Sequence, residues 1–244
     1  MDRYLVSTER PSLPETVYQQ LRDAIHNGAL KPGVILRQED LARKLGVSRA
    51  PLREALPRLE ADGMIVLRPR RGYSVVALDH EEIEDIFDVR ATVEEKAVRA
   101  AAARHRPEDV SRVFAILQEM RAIRPASDED RRRWSDLNFL FHDALAEASG
   151  RKHLARMVSN LRSLVEPYIR IELAMTGDVK QADLEHARLA NAFREGQVDL
   201  AGSLIRVHIQ STASRLLNWL SASRTLPQGD TFEKKPKIKP NQQR

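Results

Sequence analysis

Residues 36–76 read LRQEDLARKLGVSRAPLREALPRLEADGMIVLRPRRGYSVV. The apolar positions in this stretch keep helical time, pause, and then switch to short extended runs. Leu41, Ala42 and Leu45 share one face of a short helix over about 38–45. Gly46-Val47-Ser48 breaks it, and Ser48 is placed to cap a third helix running to about Asp62. Within that helix Leu52, Ala55, Leu56 and Leu59 form the inward face, and Gly63 ends it. Two β-like runs follow, Met64–Leu67 and Tyr73–Val76, joined by Arg68-Pro69-Arg70-Arg71-Gly72. Upstream, Val17, Leu21, Ala24 and Ile25 mark a helix over 14–27, stopped by Gly28, and Leu30-Lys31-Pro32-Gly33 reads as a turn. The order is helix, helix, turn, helix, hairpin, which is that of a winged helix-turn-helix.

In a helix-turn-helix the second helix of the pair lies in the major groove, and residues near its N-terminus reach base edges. Here that helix opens Ser48-Arg49-Ala50-Pro51-Leu52-Arg53. Arg49 and Arg53, four apart, stand together on a face other than the apolar one, where their guanidinium forks suit guanine edges or phosphates. Arg68, Arg70 and Arg71 sit where a wing lies against the backbone or minor groove. Each arginine taken alone also reads as a solvated surface charge; five of them confined to a recognition helix and a hairpin tip point to DNA. The charge distribution agrees. The chain carries +5 overall, with +4 in residues 1–78, −3 in 79–223 and +4 in the last 21, so a basic head is expected to meet a polyanion. Pro57 lies inside the third helix, where proline costs about 3 kcal/mol. A bend is expected there, beyond the reading end.

The chain has 244 residues, 42% of them hydrophobic and 31% charged, enough to bury a real core. It holds no cysteine, which excludes disulfides, thiolate metal sites and a thiol nucleophile. The N-terminal MDRYLVSTERPSLPE lacks a signal-peptide core, and no apolar stretch approaches a membrane span. A soluble, cytoplasmic protein is expected. From Asp79 helical periodicity dominates, giving six helices at about 80–105, 107–124, 127–149, 152–175, 180–195 and 198–221. Residues 224–244, with three prolines and few apolar groups, read as disordered. Their lysines, Lys234, Lys235, Lys237 and Lys239, read either as solvated charge or as added nonspecific DNA affinity. The expected division is a DNA-binding domain over 10–78, a helical effector-binding and dimerisation domain over 79–222, and a basic tail over 223–244. The fold class is mainly α: a winged helix-turn-helix with a small β-hairpin, then an all-α antiparallel bundle.

Three histidines of the body, His142, His186 and His208, each sit on an apolar stripe. Asn138 and His142 are four apart, so their side chains leave one face of a helix. Imidazoles with one oxygen donor suit zinc, nickel or another late first-row metal. Taken singly, each histidine reads equally as a hydrogen-bonded core residue, and spacing alone does not bring three helices together. His142-Asp143 also matches the HD dipeptide of phosphohydrolases, which makes a metal-dependent hydrolase of the helical His-cluster type the alternative function. Against it, Asp143 projects about 100° from His142 on a helix, and no carboxylate stands out as a general base for metal-bound water.

Residues 36–76 closely resemble the winged helix-turn-helix of GntR-family regulators. The matching positions are Leu41-Ala42, Gly46-Val47-Ser48-Arg49, Pro51, Arg53-Glu54-Ala55-Leu56, Leu59-Glu60, Gly63 and Gly72, with the preceding helix and LKPG turn. The body resembles the FCD ligand-binding domain through Asp88-Val89-Arg90…Glu94 and Asn138-x-x-Phe141-His142. With six body helices it is similar to the VanR-like branch of the FadR/FCD subfamily. The resemblance implies a regulator rather than an enzyme. It would be a homodimer on a palindromic double-stranded operator, a metabolite-responsive repressor that senses a small carboxylate. The DNA-contacting residues it implies are Arg37, Arg43, Ser48, Arg49, Ala50, Pro51, Arg53, Arg68, Arg70, Arg71 and Gly72. Some relatives carry an arginine near the start of the second helix, where this chain has Gln38-Glu39-Asp40, so a basic contact there falls to Arg37 or Arg43. The implied ligands of a divalent metal, zinc or nickel, are Asn138, His142, His186 and His208. Asn138 takes the place usually held by aspartate, and its neutral amide binds a cation less strongly. Arg90 is the implied effector contact, unless it pairs with Glu94 along its own helix.

Overall fold

The computed structural model describes residues 11–68, 71–177 and 179–225. The N-terminal unit comprises α1 (Leu13–His26), β1 (Ile35–Leu36), α2 (Gln38–Leu45), α3 (Arg49–Ala61), β2 (Ile65–Arg68) and β3 (Gly72–Val75). Ser12 caps α1 by accepting from the Glu15 backbone N–H at 3.4 Å, and Pro14 fits the first turn, whose N–H groups have no helical partner. Val17, Leu21 and Ile25 of α1 pack with Leu52, Ala55, Leu56 and Leu59 of α3 into a buried core, closed below by Leu36, Ile65 and Val75. The inward face read from the sequence is therefore the observed one. The hairpin forms as expected, with Arg68 opposite Gly72 and Ile65 opposite Val75. It gains a strand the sequence shows only as turn flank: Ile35 and Leu36 pair with Ser74 and Tyr73, giving the antiparallel order β1-β3-β2. Two residues are too few to display a period. Gly72 adopts φ +83°, a conformation that admits glycine without strain, and so lets the wing turn back into β3. α3 runs unbroken through Pro57. Pro57 and Arg53 are both exposed, so the carbonyl left without a helical donor lies on the solvent side.

The C-terminal unit is six helices: α4 (His80–Ala102), α5 (Pro107–Ala122), α6 (Asp128–Glu147), α7 (Lys152–Thr176), α8 (Lys180–Arg194) and α9 (Val198–Thr225). Their ends fall within a few residues of those read from the sequence. Capping boxes start two of them. Asp79 accepts from the Glu82 N–H at 2.9 Å while Glu82 accepts from Asp79 at 2.8 Å, and Ser127 and Asp130 do the same for α6. Phe87, Phe141, Leu189, Phe193 and Ile205 are among the side chains of one continuous core. α9 packs lengthwise on α4. Gly202 permits that approach, because a Cβ there would meet the Arg99 side chain at 2.5 Å. α9 continues to Thr225, past the expected start of the tail, and the rest of the tail lies outside the described residues. Among the described residues no helix is long and apolar enough to cross a membrane.

The two units touch. The Leu78 N–H donates to the Tyr168 hydroxyl at 2.5 Å, and α1 packs on α7.

Candidate functional site

At the N-terminus of α3, Ser48, Arg49, Ala50 and Arg53 are all exposed. Ser48 holds the N-cap backbone position, yet its hydroxyl makes no capping bond. Arg49 is ion-paired with Glu39 of α2, and Arg43 with Asp40 at 2.7 Å. Arg37 and Arg53 are exposed and make no ion pair among the described residues. Pro51 departs from its expected place in a DNA-contacting set: it is buried, so it supports the first turn of α3 from behind. On the wing, Arg68 is exposed and its Nε donates to Ser74 Oγ at 3.4 Å, and Arg71 is exposed at the turn. Arg70 lies outside the described residues. Glu39 as the partner of Arg49 is the feature that the sequence hid, since ten residues separate the two.

The second constellation is buried in the body. His142 on α6, His186 on α8 and His208 on α9 each offer a ring nitrogen within 4.8 Å of the others. Their ring centroids are 4.6–5.4 Å apart. Glu94 Oε2 faces His142 Nδ1 at 3.1 Å, and Glu185 Oε2 faces His208 Nδ1 at 2.7 Å. Burial works to raise the Glu94 carboxyl, but Arg90 and then His142 override it and hold it well below the usual carboxylate range. At Glu185 burial also works upward, and the bonds from His208 and Gln181, with the nearby positive charge of Arg215, together outweigh it and lower the carboxyl. A carboxylate can only accept, so both rings donate from Nδ1, which leaves Nε2 as the nitrogen each could offer a metal. His186 Nε2 lies 3.3 Å from His208 Nε2, and its Nδ1 is buried without a partner. Burial keeps His142 and His186 from protonating; Arg162 adds to this at His142, and His208 at His186. Three imidazoles, two oriented by carboxylates and one left with an orphaned nitrogen, form a donor set that fits a late first-row cation. Asn138, also buried, lines the same cavity as His142 and His208. The topology thus brings all four expected residues together.

The cavity that Asn138, His142 and His208 share is about 30 Å³ and is walled on its other sides by Arg90, Arg162 and Arg215. Arg90 pairs with Glu94 along its own helix. Its Nε and Nη2 both reach Glu94 Oε1 at 2.9 Å, while its Nη1 has no partner. Arg162 is only 2% exposed; its Nη2 donates to the Asn138 carbonyl at 3.5 Å and its Nε to nothing. Arg215 Nε forms an ion pair with Glu172 Oε1 at 3.6 Å, too long for a hydrogen bond. A buried donor left unpaired costs about 1–3 kcal/mol. The arrangement therefore suits an anion. Arg162, Arg215 and Glu185 were not singled out in the sequence, because Arg162, Glu166 and Arg170 at four-residue spacing have the pattern of a solvated helix face.

Arg162 also faces the head. Its Cζ lies 5.0 Å from the Phe139 ring centroid, and that ring is 5.6 Å from the imidazole of His26 at the end of α1. Burial pushes His26 down to about 3, with Arg22, Arg170 and Arg162 adding to the effect.

A winged helix-turn-helix with exposed basic side chains, joined to a helical body that holds a buried histidine cluster, is the architecture of a DNA-binding regulator. The family follows. A model described as "Bacterial regulatory proteins, gntR family" matches residues 13–75, and the FCD domain matches residues 85–211, more than half the chain. The chain belongs to the GntR family of bacterial transcription regulators and carries an FCD domain, the class whose members bind operator DNA. It is similar to the HTH-type transcriptional regulator YdhC of Bacillus subtilis, with 29% identity over 201 residues, 82% of this chain and 88% of that one. It is 30% identical over 176 residues to the gluconate operon transcriptional repressor of Bacillus licheniformis, covering 72% and 71% of the two chains. The solved structure of McbR/YncC from E. coli shares the fold, with a TM-score of 0.76 at 23% identity over 86% of this chain and 99% of that one. These are regulators and not enzymes, and nothing supports the hydrolase alternative.

Proposed function

We propose that this protein is a metabolite-responsive repressor whose FCD cavity senses a small carboxylate. The observation that carries the reading is a cavity lined by Asn138, His142 and His208 together with three arginines, of which Arg90 and Arg162 each keep a buried nitrogen without a hydrogen-bond partner among the described residues. His142, His186 and His208, with Asn138 beside them, would hold a divalent metal, zinc or nickel. Such an ion supplies a positive pole for a carboxylate oxygen. The amide of Asn138 adds no charge, so more of the anion's neutralisation falls to Arg90, Arg162 and Arg215.

A cavity of about 30 Å³ has room for roughly two waters and not for an organic acid. Effector entry must therefore move a wall. Arg162 is the wall that matters to the head, since the same guanidinium stacks on Phe139, which meets His26 of α1. An anion that draws Arg162 inward favours one seating of the head over another, which is the differential contact a ligand needs to shift an equilibrium. On the DNA side, two chains paired as a homodimer present two α3 helices to a palindromic operator. Arg49, Arg53, Ser48 and Ala50 sit at the groove, Arg37 and Arg43 on the flanking backbone, and Arg68, Arg70, Arg71 and Gly72 in the wing.

The test is a gel shift on the DNA upstream of the protein's own gene, with and without a panel of small carboxylates. Gluconate comes first because one relative is named as the repressor of a gluconate operon. The expected result is a carboxylate that raises Tm and releases the DNA in the wild type, with both effects lost in Arg162→Met. If no carboxylate shifts either quantity, the sensing proposal is wrong.

A further inference from the structure

Between the head and the body lies an open crevice of about 410 Å³, separate from the buried cavity. Its head side is the end of α1 and the turn after it, with Asn27, Gly28 and Lys31; its body side is the first turns of α6 and the last turns of α7. Four of its lining side chains are cationic, Lys31, Arg131, Arg132 and Arg170, against a single acid, Asp128. Arg170 is anchored. Only 9% of its side chain is exposed, its Nε reaches Glu166 at 2.9 Å, its Nη2 reaches Asp136 at 2.6 Å, and its Nη1 has no hydrogen-bond partner among the described residues. Arg131 pairs with Asp128, yet its Nε is also buried and unpartnered. Lys31 and Arg132 are exposed and make no ion pair among the described residues. Ser135, buried at the crevice wall, adds a hydroxyl.

We infer that this crevice is a second binding site, one for a small oxyanion, the phosphate or carboxylate group of a metabolite. A surface that merely solvates charge does not fix one guanidinium at the crevice wall under nine-tenths burial and leave one of its nitrogens without a hydrogen-bond partner among the described residues. Guanidinium groups match the geometry of phosphate and carboxylate oxygens, and the volume is in the range of small-molecule pockets. The site has a consequence the buried cavity lacks. Lys31 belongs to the head and the three arginines to the body, so a bound anion clamps the two units in one orientation.

The experiment is a Tm titration of the full chain with inorganic phosphate and with sulfate, neither of them a carboxylate, at ionic strength held constant with sodium chloride. The comparison is Lys31→Ala combined with Arg132→Ala, both exposed and therefore tolerated by the fold. The wild type should show a saturable rise in Tm with at least one of the two anions, and the double variant should need at least tenfold more of it. Arg215→Ala, in the buried cavity, should respond as the wild type does. Several results would overturn the inference. One is a rise that never saturates; others are a rise equal in the double variant, or one lost in Arg215→Ala instead. Loss of operator affinity by the double variant in phosphate-free buffer would make the DNA backbone the occupant and also reject it.

Discussion

Replacing Glu39 by glutamine should make the protein bind its operator more tightly, although Glu39 is itself no DNA contact. In the unbound chain Arg49 is paired with Glu39, and both side chains are mostly exposed, 62% and 75%. To reach a base edge or phosphate, Arg49 must leave that partner. An exposed ion pair is worth about 0.2–1 kcal/mol, so removing the acid should raise affinity by about 1.4- to 5-fold through this term alone. Arg49→Ala removes the contact itself and should cost about 1–3 kcal/mol, roughly 5- to 150-fold. Glu39→Gln also lifts a general repulsion from the phosphates, and a double-mutant cycle separates the two effects. Fluorescence anisotropy on labelled operator, run for wild type, both single variants and the double variant, gives all four corners. The gain from Glu39→Gln should shrink when Arg49 is already alanine, and it should fade at high salt as the pair is screened. If Glu39→Gln weakens binding, or helps equally with and without Arg49, then Arg49 does not exchange Glu39 for DNA.

Three further outcomes follow from the body and its junction with the head. His26 is ordinarily half-protonated near 6.5 but is held down to about 3 by burial. The packed arrangement therefore loses nothing above pH 6.5 and about 1.4 kcal/mol per pH unit below it, until the folded value is reached. Denaturation at pH 7.5 and 5.5 should show that loss in wild type and a smaller one in His26→Phe; equal slopes would remove His26 from the account. Zinc or nickel added to metal-free protein should raise Tm in the wild type and not in His186→Gln, which nearly keeps the ring's volume but removes one ring donor. A wild-type Tm that neither ion moves would mean the three imidazoles are core packing. Phe139→Leu should leave a carboxylate's effect on Tm in place while bringing its effect on operator affinity, typically about 5- to 150-fold for such coupling, close to none. Unchanged release of DNA would place the coupling elsewhere.

The head was legible in the sequence because its elements are local. Leu52, Ala55, Leu56 and Leu59 show the period of α3 within eight residues, and the glycines that end each element sit beside the elements they end. What the sequence hid there depends on pairing across the chain: β1, two residues long, and the Arg49–Glu39 bond. In the body the helices could be counted, but their mutual placement could not. His142, His186 and His208 were singled out for their apolar stripes, and only the resemblance to a known domain grouped them. Their carboxylate partners show the difference between the two kinds of information. Glu94 and Arg90 are four apart on α4 and could be paired by eye, whereas Glu185 lies beside His186 in sequence yet serves His208 on the next helix.

The α7 ladder shows why charge patterns mislead in a protein of this kind. Arg162, Glu166 and Arg170 repeat every four residues, a spacing that on a solvated helix gives a few tenths of a kcal/mol per pair. Here all three are buried, and each keeps a polar atom without a partner: Arg162 Nε, Glu166 Oε2 and Arg170 Nη1. A ladder selected for stability would carry apolar residues, since replacing buried ion pairs by well-packed hydrophobic groups is often neutral or favourable. These three instead connect the two places proposed to take an anion. Arg162 walls the buried cavity, Arg170 lines the crevice under the head, and Glu166 joins them by accepting from Arg170 while standing close enough to bear on Arg90. An anion arriving at either end changes what Glu166 must neutralise at the other. The cost of burying the ladder is then the cost of keeping both ends responsive, and ligand binding at either end relieves part of it.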